Sequence, residues 1–339
     1  MRMSDLRTGL AAGFCFIALA ACSGGGGGGS MTGSTPAPST STPAPVTPAA
    51  PATPTNTLVP PAAASANGGA PTVATASTPN FTSSPPPKGT SFAFTQSVMN
   101  ITATAAEPAS IGAATLTILD PNAQGVMQLR FSVPALGVET THLPLRGVDD
   151  GLATGGVVLF DMANLDYTLY GRWNYKPDAR DANSRNYQGY ATTGYQTAPS
   201  GVPSSGSATY FGAGTAQVAV VQQSNPQTAL GGDFIGDTAL NANFGNGTLT
   251  GTLSNLAAGN AKLHNVGLSG AISGRSVAGS TSIAAGATVS SAYAFSANST
   301  GTFNGAFYGP NAQEVGAVWT LADPNGTKAA YGVFAGKKQ

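Results

Sequence analysis

The sequence predicts an all-β protein. A small antiparallel handle-like sheet is followed by an eight-stranded antiparallel soluble β-barrel, and both stand behind a signal peptide and a disordered linker. Three observations predict the all-β class. Short runs alternate apolar and polar residues at the strand period of two, and no segment sustains a helical period. The chain is rich in Gly (45 of 339 residues), Thr and Ser, which favours sheets joined by turns. Hairpin signals also punctuate the C-terminal half, among them Gly245-Asn246-Gly247 and Asp323-Pro324-Asn325-Gly326.

The N-terminus sets the compartment. Arg2 and Arg7 precede an apolar run over 10–21 that is too short to span a bilayer as a helix, so residues 1–21 read as a secretory signal. Leu19-Ala20-Ala21-Cys22 has the form of a bacterial lipobox. In that chemistry the Cys22 thiol takes a diacylglycerol, cleavage makes Cys22 the new N-terminus, and its amine is then acylated, with palmitate among the fatty acids used. Each buried methylene contributes about 0.8 kcal/mol, and one chain holds only marginally, so several chains give stable anchoring. Ser23, not Asp, follows the cysteine, which permits passage to the outer membrane. With Cys15 in the discarded signal and Cys22 lipidated, the mature fold has no thiol for disulfides, metal sites or nucleophilic catalysis.

Residues 22–90 read as a tether. Six glycines follow Ser23, and up to Thr90 there are one charge (Lys88), one aromatic (Phe81) and 14 of the 24 prolines. Such a segment cannot bury enough apolar surface to offset its ordering entropy. Extended polyproline conformations at about 3.1 Å per residue give it an upper reach on the order of 200 Å.

Residues 91–203 form the expected handle. Strand candidates are 114–119, 126–133 and 157–160, with a turn at Asp120-Pro121-Asn122. From Leu165 the character changes. Residues 166–175 (DYTLYGRWNY) make an aromatic strand that runs into 176–196, a polar stretch read as a loop. Arg172, Arg180, Arg185, Tyr187, Tyr190 and Tyr195 are the candidate partner-binding residues, because Tyr, Trp and Arg dominate interface hot spots. The same pattern also fits a sheet whose aromatics pack on the barrel, with Tyr170 and Trp173 as core members.

Residues 204–339 supply the barrel. Nine strand candidates, 206–210, 216–221, 237–244, 248–253, 262–273, 289–297, 302–308, 316–321 and 329–335, compete for eight places, and 289–297 or its neighbour is the weakest of them. Phe303, Gly305 and Phe307 share one face, as do Ala317, Trp319 and Leu321. Closure over eight strands leaves an interior filled by side chains, and glycines such as Gly305 and Gly332 suit its crowded taper. Outward positions are largely Thr, Ser and Asn, which argues against a lipid-facing apolar band.

The run G-x-F-x-G-x-F-Y-G-P-x-A-x-E from Gly301 to Glu314, then Gly316, then G-V-F-A-G-K-K from Gly332 to Lys338, resembles the terminal hairpins of the transferrin-binding protein B family of surface lipoproteins. More loosely, Ser205-Gly206-Ser207-Ala208-Thr209-Tyr210, Ala242-Asn243-Phe244-Gly245 and Gly251-Thr252-Leu253 resemble its earlier barrel strands. Polyglycine behind a lipidated cysteine is similar to that family and to factor H-binding protein. The resemblance implies a handle-like domain over 91–203 and eight strands in the barrel, a lipid-anchored outer-membrane protein, a host or environmental protein as ligand, and export to the cell surface by a dedicated lipoprotein translocator.

Composition and motifs restrict function further. Only 8% of residues are charged and the formal net charge is zero, so no field steers nucleic acid to the chain. Outside the signal there are two histidines, His142 and His264, no nucleophile elbow, no phosphate-cradling loop and no metal-spaced cluster, so no catalytic, metal or cofactor residues are assigned. Asp149-Asp150 and Asp233 to Asp237 sit beside glycine and read as turns. The expected function is non-enzymatic binding, with a structural or adhesive coat lipoprotein as the alternative. Haem or iron capture through His142 and tyrosines is a third reading.

Overall fold

The computed structural model describes residues 73–74, 89, 91–101, 110–120, 128–142, 147–149, 154–159, 163–178, 186–221, 228–230 and 233–339. The signal peptide, Cys22, Arg180 and Arg185 lie outside the described residues.

The handle is an antiparallel sheet of eight strands. These are β1 (Ser91–Ile101), β2 (Ser110–Ile118), β3 (Leu129–Val133), β4 (Val138–His142), β5 (Gly147–Asp149), β6 (Thr154–Leu159), β7 (Thr168–Lys176) and β8 (Asn186–Gly194). Their order across the sheet is β4-β3-β2-β1-β8-β7-β6-β5. The sheet curls, bringing β4 close to β5 and β6, and its concave side buries Phe92, Leu116, Phe131, Val133, Trp173 and Tyr187. Phe131 lies on Trp173 at 4.9 Å between ring centroids, and Phe92 meets Tyr195 edge-on at 5.3 Å.

The barrel is a closed meander of eight strands: β9 (Ser207–Val221), β10 (Phe234–Asn243), β11 (Thr248–Ala258), β12 (Asn265–Ser273), β13 (Ser276–Ala284), β14 (Thr300–Tyr308), β15 (Glu314–Ala322) and β16 (Lys328–Lys338). Each pairs antiparallel with the next. The ring closes where β16 returns to β9 in a register running from Tyr210↔Lys338 to Val220↔Lys328. Inside, Tyr210, Phe234, Leu253, Phe303, Phe307 and Trp319 fill one continuous core. Trp319 stands opposite Gly332, where a Cβ would come within 2.7 Å of its Nε1. Glycine there is the space that the indole occupies. Outward positions on the middle strands, including Thr250, Ser269 and Ser280, are exposed, as the alternation predicts.

Several expected elements differ. Segments 206–210 and 216–221 are one strand, β9, because Gly212 and Gly214 break the apolar alternation without breaking the ladder. A Cβ at Gly212 would meet the Ala335 carbonyl at 2.0 Å, so the neighbouring strand requires that glycine. Segment 289–297 is not a strand: it holds a 3-10 turn, Ser291–Tyr293, in the long connection between β13 and β14. The strand missing from the count is β13, whose inward side carries Val277, Gly279 and Thr281, too small to read as an apolar face. Residues 186–194, read as loop, are β8. Within the expected tether, Val73–Ala74 runs parallel to Gln196–Thr197, which in turn pairs with Tyr308.

Candidate functional site

The described residues of the stretch expected to carry recognition are built into the handle core and its junction with the barrel. Tyr187, Tyr190 and Tyr195 are 4%, 0% and 7% exposed, so the expected solvent-facing tyrosine surface is absent. The reason is a strand covered on both sides. Tyr187 of β8 points into the curl of the handle and Tyr190, three residues on, points at the barrel. On β7 the same division places Trp173 in the curl and Tyr170 at the barrel. Both are buried, which is the place the packing reading gave them.

The barrel side of the junction is apolar at its centre. Tyr170 and Tyr190 of the handle share a cluster with Ala219 of β9, Val318 of β15, and Tyr331, Val333 and Ala335 of β16. Tyr190 and Tyr331 meet edge-on at 5.7 Å.

Beside this cluster lies a charged network. Arg172 Nη1 donates to Asp233 Oδ2 at 2.5 Å. The Tyr190 hydroxyl donates to Asp233 Oδ1 at 2.9 Å, and Gln217 Nε2 donates to the same oxygen at 3.1 Å. Tyr331, the register partner of Gln217, donates its hydroxyl to Gln217 Oε1 at 2.7 Å. Burial, and then the Asp233 charge, push the Tyr190 phenol well above its ordinary range, so it remains a donor. Arg172 is therefore a half-buried interdomain tie, not a projecting contact. Asp233, read from its glycine neighbours as a turn residue, is the acceptor on which three donors converge. Asp237, read the same way, lies within β10 beside a bulge and accepts from Asn255.

A second tie uses Glu314, the last residue of the G-P-x-A-x-E run. Its side chain is fully buried, with Oε1 accepting the Asp166 amide at 2.6 Å and Oε2 the Tyr167 amide at 2.9 Å. Burial pushes its carboxyl above the usual range, against the downward pull of those two amides. Lys337 Nζ pairs with Asp166 Oδ2 at 2.6 Å. The rest of the motif serves the same contact. Gly309 has φ +74° and lies under the Tyr167 ring, with a would-be Cβ at 2.5 Å. Thr197 donates to the Gly309 carbonyl at 2.8 Å. A carboxylate at the start of an apolar strand was the sequence signal for this tie, since glutamate is rarely buried without partners.

Among the described residues no group of three or more His, Cys, Asp or Glu side chains could hold a metal ion. The side chain of His142 lies outside the described residues. Arg172, Asp233, Gln217, Tyr190 and Tyr331 are committed to one another across the junction, which suits them to a lock.

Residues 202–338 match the family model described as the C-lobe and N-lobe beta barrels of Tf-binding protein B. No curated protein sequence matches the chain. Among solved structures, a Trp-176-Ala mutant of transferrin binding protein B from Haemophilus parasuis Hp5 is 19% identical, with a TM-score of 0.47, over 73% of this chain and 45% of that one. The isotype 1 transferrin binding protein B of serogroup B Neisseria meningitidis is 17% identical at TM-score 0.42, over 72% and 43%. HpuA from Kingella denitrificans, in complex with human haemoglobin, is 14% identical at TM-score 0.37, over 79% and 90%. The chain thus spans less than half the length of the first of these. With its closed eight-stranded meander and its match over residues 202–338, the C-terminal domain is a β-barrel of the transferrin-binding protein B type.

Proposed function

We propose that the protein is a lipid-anchored, surface-exposed receptor of the outer membrane that binds a host protein without chemistry. The family match of the barrel carries this reading. The lipobox at Cys22 supports the anchoring, and the following linker supports display away from the bilayer. The junction supports a binding role in another way. A handle tied to its barrel by two charged networks and an apolar cluster is preorganised, so a partner meets a fixed surface and little ordering entropy opposes binding.

The test has two arms. The purified full chain is immobilised and exposed to iron-loaded transferrin and, separately, haemoglobin, with saturable binding of either expected and binding of neither counting against the receptor reading. Cys22→Ala is expected to leave the detergent phase and the outer-membrane fraction; retention at the native level would refute the anchor.

A further inference from the structure

The long connection between β13 and β14 covers one end of the barrel. Its Phe295 is 6% exposed within the barrel core, and Tyr293 stacks edge-on against Phe234 at 5.0 Å between centroids. Four hydrogen bonds fasten its 290–295 segment. The Ser290 amide donates to the Lys262 carbonyl at 3.0 Å, and the Lys262 amide to Ser290 Oγ at 2.9 Å. Lys328 Nζ donates to the Ala294 carbonyl at 2.5 Å. The Phe295 amide donates to Nε2 of His264 at 3.1 Å.

We propose that His264 is a proton-operated latch on this strap: it holds Phe295 while the imidazole is neutral and lets go when the ring is protonated. Nε2 accepts an amide hydrogen only through its lone pair, which places the proton of the neutral ring on Nδ1. Protonation turns Nε2 into a donor facing another donor, and the resulting cation faces Lys328. Among the described residues no carboxylate is hydrogen-bonded to the ring: Asp323 reaches Ser299 and Thr327, Asp233 reaches Arg172, and Asp237 reaches Asn255, while Lys262 lies two residues away in the chain. Burial holds the His264 pKa below its ordinary value and outweighs the upward pull of the Phe295 backbone contact, and Lys328 acts in the same direction as burial. A depressed value means that the latch's contribution is present above the unfolded imidazole range and is lost as pH falls through the lower folded value. Release uncovers Phe234, Tyr293 and Phe295, an apolar surface at the barrel mouth.

Hydrogen exchange on the full chain in detergent tests this, with peptides spanning 285–299 followed between about pH 7.5 and about pH 5 and corrected for intrinsic exchange. Protection of the strap is expected to fall up to about tenfold per pH unit below the His264 midpoint, with β11 unchanged, as linkage to one proton requires. An NMR titration of the native protein should give the His264 ring and the Phe295 amide one shared midpoint. In His264→Gln, whose side-chain carbonyl accepts at every pH, the acid step should disappear. Constant protection across the range, separate midpoints, loss spread equally over the barrel strands, or an unchanged acid step in His264→Gln would each overturn the proposal.

Discussion

Glu314 and Lys337 face each other in the β15–β16 register, and both reach to the same residue of the handle: Glu314 accepts the Asp166 amide and Lys337 pairs with the Asp166 carboxylate. Two neighbouring barrel strands thus hold one short handle segment by opposite charges. Removing the Glu314 carboxylate leaves two amides without their acceptor, each costing about 1–3 kcal/mol when buried. Glu314→Ala is expected to lower the denaturation midpoint accordingly, and an unchanged midpoint would show that the tie contributes nothing.

The same residue gives a pH dependence. Because the folded pKa of Glu314 is raised by burial, its stabilising contribution is present below the ordinary carboxylate value and declines as pH rises through the folded one. The stability of the native protein relative to Glu314→Gln should therefore increase as pH is lowered from neutral into the carboxylate range. Thermal melts of both proteins over that range check the sign.

Gly309 and Gly206 separate two reasons for glycine. Both have positive φ, +74° and +80°, but a Cβ at Gly309 would strike the Tyr167 ring, whereas one at Gly206 meets nothing within 4 Å. Gly206→Ala should cost only the backbone strain, about 1–2 kcal/mol, and Gly309→Ala distinctly more, because Tyr167 must move. Equal losses in chemical denaturation would contradict the packing described.

In the barrel core, Phe307 is fully buried and packs against Tyr210 and Phe244 at centroid distances of 5.8 and 5.6 Å. Phe307→Ala is expected to cost about 3–5 kcal/mol, as large-to-small core changes do. A midpoint equal to that of the native protein would mean the ring does not face inward.

The sequence was most legible where one face of a strand is buried. Phe303, Phe307, Trp319 and Leu321 alternate with small or polar residues, so the closing hairpins of the barrel could be read directly, and eight strands was the right total. It was least legible where burial is two-sided or is achieved by small residues. Tyr187 and Tyr190 lie on opposite faces of β8, which spoils the period of two and makes a core strand look like a polar loop. β13 escaped notice because Gly279 must be empty of side chain for Phe303, whose Cε1 would lie 2.7 Å from a Cβ there. Tyr293 and Phe295 alternate like strand residues, yet they fill the barrel mouth from a connection. The partner of Arg172 is remote in sequence, 61 residues away, and no local pattern announces Asp233.

The last prediction separates the structural from the recognition residues of the 167–195 stretch. Tyr187 is buried in the handle core, so Tyr187→Ala should lower stability by about 3–5 kcal/mol. Asp233→Ala should cost more than Arg172→Ala: the first strands three donors, while the second removes one half-exposed partner of a pair whose strength solvent reduces. Arg180 and Arg185 lie outside the described residues, and on the receptor reading Arg180→Ala or Arg185→Ala weakens binding by more than about 1 kcal/mol with the melting curve unchanged. Paired melting and binding measurements on these five variants resolve the question. If every variant that loses binding also loses stability, the stretch serves only to hold the handle on its barrel, and the recognition surface lies elsewhere on the handle.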